Sequence, residues 1–224
     1  MSIKRGARMF EAGAEIGHVY LLKSGLVSLF APLSGGGCVD AAIVGRGALI
    51  GGGSLFGIRV RVSSMLAQTA SSAWALPAAD FAAVAHEDDA VFRLACLQEQ
   101  LLFVQAQQTA ACNAVHSVRE RLCRRLLCAS DLISGNMLRI GQQELAQMLG
   151  VQRTSISIAA NQMQKMGLIR HRYGQIEIIN RPGLLRNSCE CYEAISNIKR
   201  KLMDHNPKSD AVAAESAGSP PIAP

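Results

Sequence analysis

The sequence predicts an α+β fold in which an N-terminal antiparallel β-roll is followed by one long helix and a region of shorter helices and a hairpin. Two patterns in its 224 residues lead to this prediction. Short apolar or alternating runs separated by glycines fill the first 80 residues, which is typical of short strands joined by turns. Between Asp88 and Gly135 glycine is absent, and apolar residues recur at helical spacing instead.

The roll is predicted from four strand-like runs, at 18–22, 25–30, 39–44 and 64–70. The glycines between these runs supply turn conformations that other residues reach only at a cost. Many short strands with such punctuation indicate a small antiparallel barrel or roll.

The predicted long helix carries a stripe of mostly apolar residues at helical spacing, flanked by glutamines. The helix has too few charged residues for an ordinary surface helix. Such a stripe would suit a partner helix, and we interpret it as a homodimer seam. The alternative is that it packs against the roll of its own chain. The residues of the stripe are Leu97, Leu101, Val104 and Gln108.

Two short helices with a tight turn between them are predicted at 142–149 and 153–166, which is helix-turn-helix spacing. The second helix is two-faced: Ile156, Ala160 and Met163 lie on one side, and Arg153, Thr154, Ser157 and Asn161 lie on the other. Its polar N-terminal end has free backbone N–H groups and a favourable dipole, so it could enter a major groove.

Two alternating segments follow between 168 and 179, joined near Tyr173-Gly174, and they predict a hairpin wing. Arg170, His171 and Arg172 cluster on its first strand and turn, where each either reaches a phosphate or stays a solvated surface charge. We divide the chain into a roll at 1–88, a dimerisation helix at 89–116, a winged helix-turn-helix domain at 117–184, a C-terminal helical extension at 185–206 and a disordered tail at 207–224.

The net charge of +6 is unevenly distributed. Residues 1–117 hold 8 basic and 8 acidic side chains, whereas residues 118–206 hold 14 basic and 7 acidic ones. Because clustered cations attract a polyanion, the second half is predicted to contact nucleic acid, with a solvated basic face as the alternative.

This order of elements resembles the Crp/Fnr family of transcription regulators. The segments FEAG at 10–13 and VYLLKSG at 19–25 resemble the opening of that family's cyclic-nucleotide-binding-like jelly roll, and GRG at 45–47 with Ile50-Gly51 resembles its central turn. The stretch GQQELAQMLGVQRTSIS at 141–157 is similar to the family's helix-turn-helix almost residue for residue.

The resemblance implies a homodimer on a two-fold symmetric double-stranded DNA operator, with RNA polymerase as a candidate further partner. Arg153 falls where the family has a base-reading arginine, while Thr154 and Ile158 replace a glutamate and a second arginine of the best-known members. Ile158 either contacts a thymine methyl or is a surface residue. The implied DNA-binding residues are Gln142, Gln152, Arg153, Thr154, Ser155, Ser157, Ile158, Arg170, His171 and Arg172.

The implied effector pocket departs from the cyclic-AMP pattern. Cyclic-nucleotide binders of the family hold the ribose with a Gly-Glu pair and the phosphate with an Arg-Ser pair, where this chain has Gly51-Gly52 and Arg61-Val62. Arg61 would either attract an anion or be a surface arginine. The resemblance thus identifies no cofactor and argues against cyclic AMP. Because the chain starts close to the first roll motif, the sensor is either trimmed at its start or has its start assigned late.

The seven cysteines predict reduced thiols, because their number is odd and their spacing is not that of a disulfide scaffold. The one close pair, Cys189-x-Cys191, lacks the second Cys or His pair that a metal would need, so no metal site is expected. No catalytic grouping is recognised either.

The uncharged stretches at 62–79 and 100–118 contain Gln, Ser and Thr, and the start lacks an apolar signal run, so we expect a cytoplasmic protein without a membrane span. An alternative function is a small-ligand-binding signalling module whose basic half docks an acidic protein. That function requires neither the amphipathic second helix nor the wing.

Overall fold

The computed structural model describes residues 1–35, 37–133, 135–172 and 174–204. In this part the chain forms an N-terminal antiparallel roll, long helices and a C-terminal helix-turn-helix region, which confirms the predicted α+β class. The predicted tail lies outside the described residues, as do Ser134 and Tyr173, of which Tyr173 belongs to the predicted hairpin turn. None of the described helices is long and apolar enough to cross a bilayer.

The roll consists of two four-stranded antiparallel sheets with the orders β1-β8-β3-β6 and β2-β7-β4-β5. Alternate side chains of the strands point between the sheets, where Leu22, Val27, Leu29, Ile50 and Met65 form its core. Its strands are β1 (Ser2–Ile3), β2 (Arg8–Phe10), β3 (His18–Ser24), β4 (Val27–Pro32), β5 (Cys38–Val44), β6 (Leu49–Ile50), β7 (Ser64–Ala67) and β8 (Ser71–Pro77).

Two elements at the end of the roll were not predicted. Strand β8 pairs with β3 over most of its length, and helix α1 (Ala78–Glu87) follows it directly. Strand β8 is rich in serine and alanine and α1 is rich in alanine, so their apolar pattern is weak. Asp88 then begins the long helix α2 (Asp89–Val115), because its carboxylate accepts hydrogen bonds from the N–H groups of Ala90 and Val91 at 2.8 and 3.4 Å.

The predicted seam of α2 faces the inside of the chain. Leu101 and Val104 are buried, Leu97 is half-buried, and Gln108 donates a hydrogen bond of 3.0 Å to the Cys191 thiol. The reason is that β5 and the C-terminal helix both pack on this side of α2. Another side of α2 faces solvent, with residues at alternating intervals of three and four: Gln100, Phe103, Gln107, Ala110 and Ala114.

The second half is built around α3 (Val118–Ile133), whose Leu122, Leu126 and Leu127 are fully buried in a core shared with the remaining elements. Strands β9 (Met137–Leu138), β10 (Ile169–Arg172) and β11 (Gln175–Ile178) form a three-stranded antiparallel wing. The helices are α4 (Gln142–Leu149), α5 (Arg153–Lys165), α6 (Arg181–Arg186) and α7 (Cys191–Asp204).

A buried ion pair joins the two halves. Arg125 Nη2 of α3 lies 3.2 Å from Asp40 Oδ2 of β5, and both side chains are almost fully buried. Ser28 Oγ donates a 2.7 Å hydrogen bond to the same carboxylate oxygen, and Gln68 Nε2 in turn donates to Ser28 at 3.0 Å. Burial raises the pKa of Asp40, and the Arg125 charge and the Ser28 hydrogen bond act against that rise.

We expect Arg125→Met to lower the free energy of unfolding by about 3–5 kcal/mol, because it leaves Asp40 buried without a counter-ion. The matched control, Arg170→Met, removes an arginine that pairs with Glu177 at the surface and should cost less than about 1 kcal/mol. Chemical denaturation measures both losses.

The pH dependence of the same experiment has a defined sign. In Arg125→Met the pKa of Asp40 lies further above its unfolded value, so the folded state binds the proton more tightly and stability falls as pH rises through that raised pKa. Small and equal losses for both variants would show that the ion pair does not hold the roll against α3.

Candidate functional site

The turn between α4 and α5 is set by Gly150, which ends α4 with a left-handed backbone at φ 63°. Its N–H group donates to the Gln147 carbonyl at 3.1 Å, and that of Val151 donates to Ala146 at 3.0 Å. At the other end of α4 the Glu144 carboxylate accepts a 2.5 Å hydrogen bond from the Gly141 N–H group. Both ends of α4 are therefore fixed by hydrogen bonds, and these also fix the direction in which the chain continues from α4 to α5.

Helix α5 is buried on one face and exposed on the other. Ile156, Ala160 and Met163 are buried as predicted, together with Ala159. On the other side the exposed residues are Gln152, Arg153, Thr154 and Ile158, of which Ile158 keeps 61% of its surface. The first turn carries no acidic residue, so its backbone N–H groups and dipole present a positive end to the surface.

The other predicted contact residues lie around this exposed face. Ser157 Oγ donates a 2.6 Å hydrogen bond to Gln142 Oε1, so these two residues hold α5 against α4. Ser155 is half-buried in a groove that Ile158 and Arg119 also line. The structure thus presents some of the predicted residues to a ligand and uses others to support them.

The wing is attached to α5 by a hydrogen bond of 2.8 Å from the His171 N–H group to Gln164 Oε1. Arg172 is exposed, His171 is half-buried, and Arg170 forms an ion pair of 2.9 Å with Glu177. Among the three basic wing residues, Arg172 is therefore the one placed most freely for a phosphate.

Part of the predicted basic excess does not face solvent. Arg121, Arg124 and Arg125 are each less than a tenth exposed. They belong to the 14 basic residues from which contact with nucleic acid was predicted, but they cannot attract a phosphate from inside the protein. Arg121 donates through Nη2 to the carbonyl of Leu149 at the end of α4, and Arg125 pairs with Asp40. Their role is internal because α3 lies between the roll and the helix-turn-helix.

The predicted effector residues lie beside a cavity of about 90 Å³ in the roll. Gly51 and Arg61 line it, and Gly52 lies against Glu99 at its edge. Arg61 is only 6% exposed, so the interpretation as a surface arginine is wrong. Its Nη2 donates 2.8 Å to the His18 carbonyl, and its guanidinium stacks 3.8 Å from the centre of the Phe10 ring.

One carboxylate of this pocket was not predicted from the sequence. Glu99 reaches the cavity from α2 and accepts a hydrogen bond of 3.1 Å from the Gly53 N–H group. Burial raises the pKa of Glu99, and backbone hydrogen bonds from Gly53 and Gly52 act against that rise. In cyclic-nucleotide binders the carboxylate stands at the position of Gly52, and no local motif shows that one arrives here from a distant helix.

A cluster of three cysteines and one histidine was also missed. Cys112 and His116 at the end of α2 meet Cys189, which follows α6, and Cys191, which begins α7. More than 70 residues of sequence separate the two pairs. The second pair that Cys189-x-Cys191 lacked is therefore supplied by the fold. The available signal was the spacing of Cys112 and His116, which are four residues apart on the predicted helix.

Comparison with family models matches residues 1–88 to the cyclic nucleotide-binding domain and residues 120–186 to the Crp-like helix-turn-helix domain. Together the two matches cover about two thirds of the chain. A search of curated protein sequences found no match.

The chain is similar in fold to three solved regulators. A CRP-family transcriptional regulator from Thermus thermophilus is 19% identical over 84% of this chain and 96% of its own, with a TM-score of 0.72. FixK2 from Bradyrhizobium japonicum is 19% identical over 84% and 96%, with a TM-score of 0.74. The c-di-GMP responsive global regulator CLP from Xanthomonas campestris is 20% identical over 80% and 92%, with a TM-score of 0.67.

Gly150→Ala should destabilise the fold more than its control Gly167→Ala. Both glycines have a left-handed backbone, at φ 63° and 68°, which costs alanine roughly 1–2 kcal/mol. A Cβ atom at Gly150 would also lie 2.7 Å from Val39 Cγ2, whereas one at Gly167 meets nothing within 4 Å. We expect a further loss of about 1 kcal/mol or more at Gly150, measured by urea denaturation.

The Val39→Ala background tests the cause of that difference, because it removes the contacting methyl groups. In this background the two alanine substitutions should cost the same. If they already cost the same with Val39 present, the helix-turn-helix does not pack against β5 in solution.

Proposed function

The chain belongs to the Crp/Fnr family of transcription regulators, and from this we propose that it is a homodimer that binds a two-fold symmetric DNA operator sequence-specifically. The observation that carries the proposal is the exposed N-terminal face of α5, with Arg153 and Thr154 on a helix whose opposite face is fully buried. Such a helix can lie in a major groove without giving up any packing.

Arg153 is the residue we assign to base recognition. An arginine donates two parallel hydrogen bonds to guanine O6 and N7, and this contact is the commonest specific one. We assign the exposed Ile158 to contact with a thymine methyl group, while the half-buried Ser157 and Gln142 hold the helix in position. Arg172 on the wing and the N-terminus of α5 are assigned to phosphates, which fix the register but carry no sequence information.

We infer that the dimer forms through the solvent-facing side of α2. Gln100, Phe103, Gln107, Ala110 and Ala114 repeat at intervals of three and four, as residues of a coiled-coil seam do. Phe103 is 55% exposed there, which is unusual for a large aromatic residue without a partner. The proposal requires that a two-fold axis beside α2 bring the two α5 helices about one turn of DNA apart.

We further propose that the roll at 1–88 is the sensor and that its ligand is not cyclic AMP. A cavity of about 90 Å³ is far smaller than the roughly 300 Å³ that small-molecule sites start from. Arg61 is already engaged by His18 and Phe10, so it offers little to a cyclic phosphate. By family resemblance, RNA polymerase is a further candidate partner.

Selection of random duplex DNA on the purified protein tests the proposed function. We expect a palindromic consensus, and Arg153→Ala should weaken binding to it by about 1–3 kcal/mol, roughly 5- to 150-fold, and relax the preference at one base pair of each half-site. The matched control Arg59→Ala removes an exposed arginine of the roll and should leave the consensus and affinity unchanged.

Salt-sensitive binding without any consensus, in the presence and absence of candidate effectors, would contradict sequence-specific recognition. It would favour the alternative function, in which the basic half docks an acidic protein.

Phe103→Glu should dissociate the dimer, because it replaces the one large apolar side chain of the proposed seam by a carboxylate on each chain. We expect the dimer dissociation constant to rise roughly 30-fold or more, as for loss of a central aromatic contact. Sedimentation analysis measures this, and the control is Leu94→Glu, which is similarly exposed but lies on the opposite side of α2. A dimer that survives Phe103→Glu and is broken by Leu94→Glu would place the seam elsewhere on the helix.

A further inference from the structure

The Cys/His cluster consists of Cys112, His116, Cys189 and Cys191, whose potential ligand atoms all lie within 4.8 Å of one another. Cys112 lies in the last turn of α2, and His116 ends that helix. Cys189 and Cys191 lie after α6 and at the start of α7. The three cysteines are 5% exposed or less, so the cluster is a buried centre between two distant parts of the chain.

Two distances in the cluster are close to those of a single coordination sphere. The Cys112 and Cys189 sulfurs are 3.5 Å apart, and Cys191 Sγ lies 3.5 Å from His116 Nδ1. Around a tetrahedral Zn²⁺, bond lengths of about 2.3 Å to sulfur and 2.0 Å to nitrogen separate two sulfurs by about 3.8 Å and a sulfur from a nitrogen by about 3.6 Å. Small movements would bring all four atoms onto one ion.

The groups around the cluster are those that support metal ligands. His116 turns Nδ1 toward Cys191, while its other nitrogen, Nε2, lies 3.2 Å from Glu190 Oε2. A carboxylate that accepts from the far nitrogen fixes the tautomer and orientation of a ligating histidine. Gln108 Nε2 donates 3.0 Å to the Cys191 sulfur, as an N–H group does to a bound thiolate.

Two buried cations lie near the cluster. The Arg124 charge acts on Cys112, and the Cys112 and Cys189 sulfurs act on Arg121. The Nε atoms of both arginines are buried, and neither has a hydrogen-bond partner among the described residues. One Zn²⁺ with three thiolates carries a net charge of about −1, so a loaded centre would supply the anionic neighbour that these guanidinium groups need.

We propose that Cys112, His116, Cys189 and Cys191 bind one Zn²⁺ per chain, which fastens the start of α7 to the C-terminal end of α2. Three thiolates and one imidazole are a common donor set of structural zinc, and binding releases the thiol protons. A disulfide would use two of the sulfurs and leave the His116–Glu190 arrangement without a purpose. An iron–sulfur cluster divides its ligands among several irons, so it suits a wider set of ligands than this one.

Metal analysis of the full chain, purified under reducing conditions, tests the site directly. We expect about one equivalent of zinc in the wild type and less than about a tenth in Cys191→Ser and His116→Ala. Cys38→Ser and Cys96→Ser, at half-buried cysteines outside the cluster, serve as matched controls and should keep their zinc. This readout does not involve DNA, so its failure and the failure of the proposed function are separate results.

Cobalt provides a test that needs no variant. The chelator-stripped wild type should bind one equivalent of Co²⁺ and develop the strong visible absorption of tetrahedral cobalt together with thiolate charge-transfer bands.

Chelation should also lower the melting temperature by at least about 5 °C in the wild type and leave that of Cys191→Ser unchanged. A folded wild type that carries no zinc and gives no tetrahedral cobalt spectrum would overturn the proposal, as would iron with acid-labile sulfide or a Cys112–Cys189 disulfide.

Discussion

The buried ion pair of Asp40 and Arg125 is the interaction on which the arrangement of the two halves depends. Each of these buried charges is stable only while the other lies beside it. Sliding α3 on β5 would separate them, at a cost of several kcal/mol. The same strand carries Val39, which packs against the turn that precedes α5. The direction in which α5 leaves that turn is therefore set by the roll and not only by its neighbouring helices.

Helix α2 connects the roll cavity, strand β5 and the start of α7, because one polar side chain of α2 forms a hydrogen bond to each of them. Glu99 bonds to the Gly53 backbone at the roll cavity, Gln105 Oε1 accepts from the Ile43 N–H group of β5 at 3.2 Å, and Gln108 bonds to Cys191. A rotation or shift of α2 would strain all three contacts at once. If the protein has two conformations, the position of such a helix can be shifted both by a ligand at the roll cavity and by a dimer partner.

The sequence predicted the parts whose signals are local. The faces of α5 follow from the 3.6-residue period, and the wing follows from alternation around Gly174, so residues such as Ile156 and Arg153 were placed correctly. Which side of α2 faces inward could not be predicted, because both sides carry glutamines beside large apolar residues and only the arrival of β5 and α7 decides. The burial of Arg61 and the meeting of Cys112 with Cys189 likewise depend on contacts between distant segments, which no short motif records.

The return of the chain to the end of α2 has a consequence for the entropy of the DNA-binding half. Cys112 and Cys189 are 77 positions apart yet adjacent in space, so the winged region lies within a loop whose two ends meet at the end of α2. A lasting link that closed a loop of this length would cost the chain on the order of 4 kcal/mol in conformational freedom. A closed loop leaves the unfolded region fewer conformations, so the docking of α7 on α2 would stabilise the whole winged region and not only its own contact.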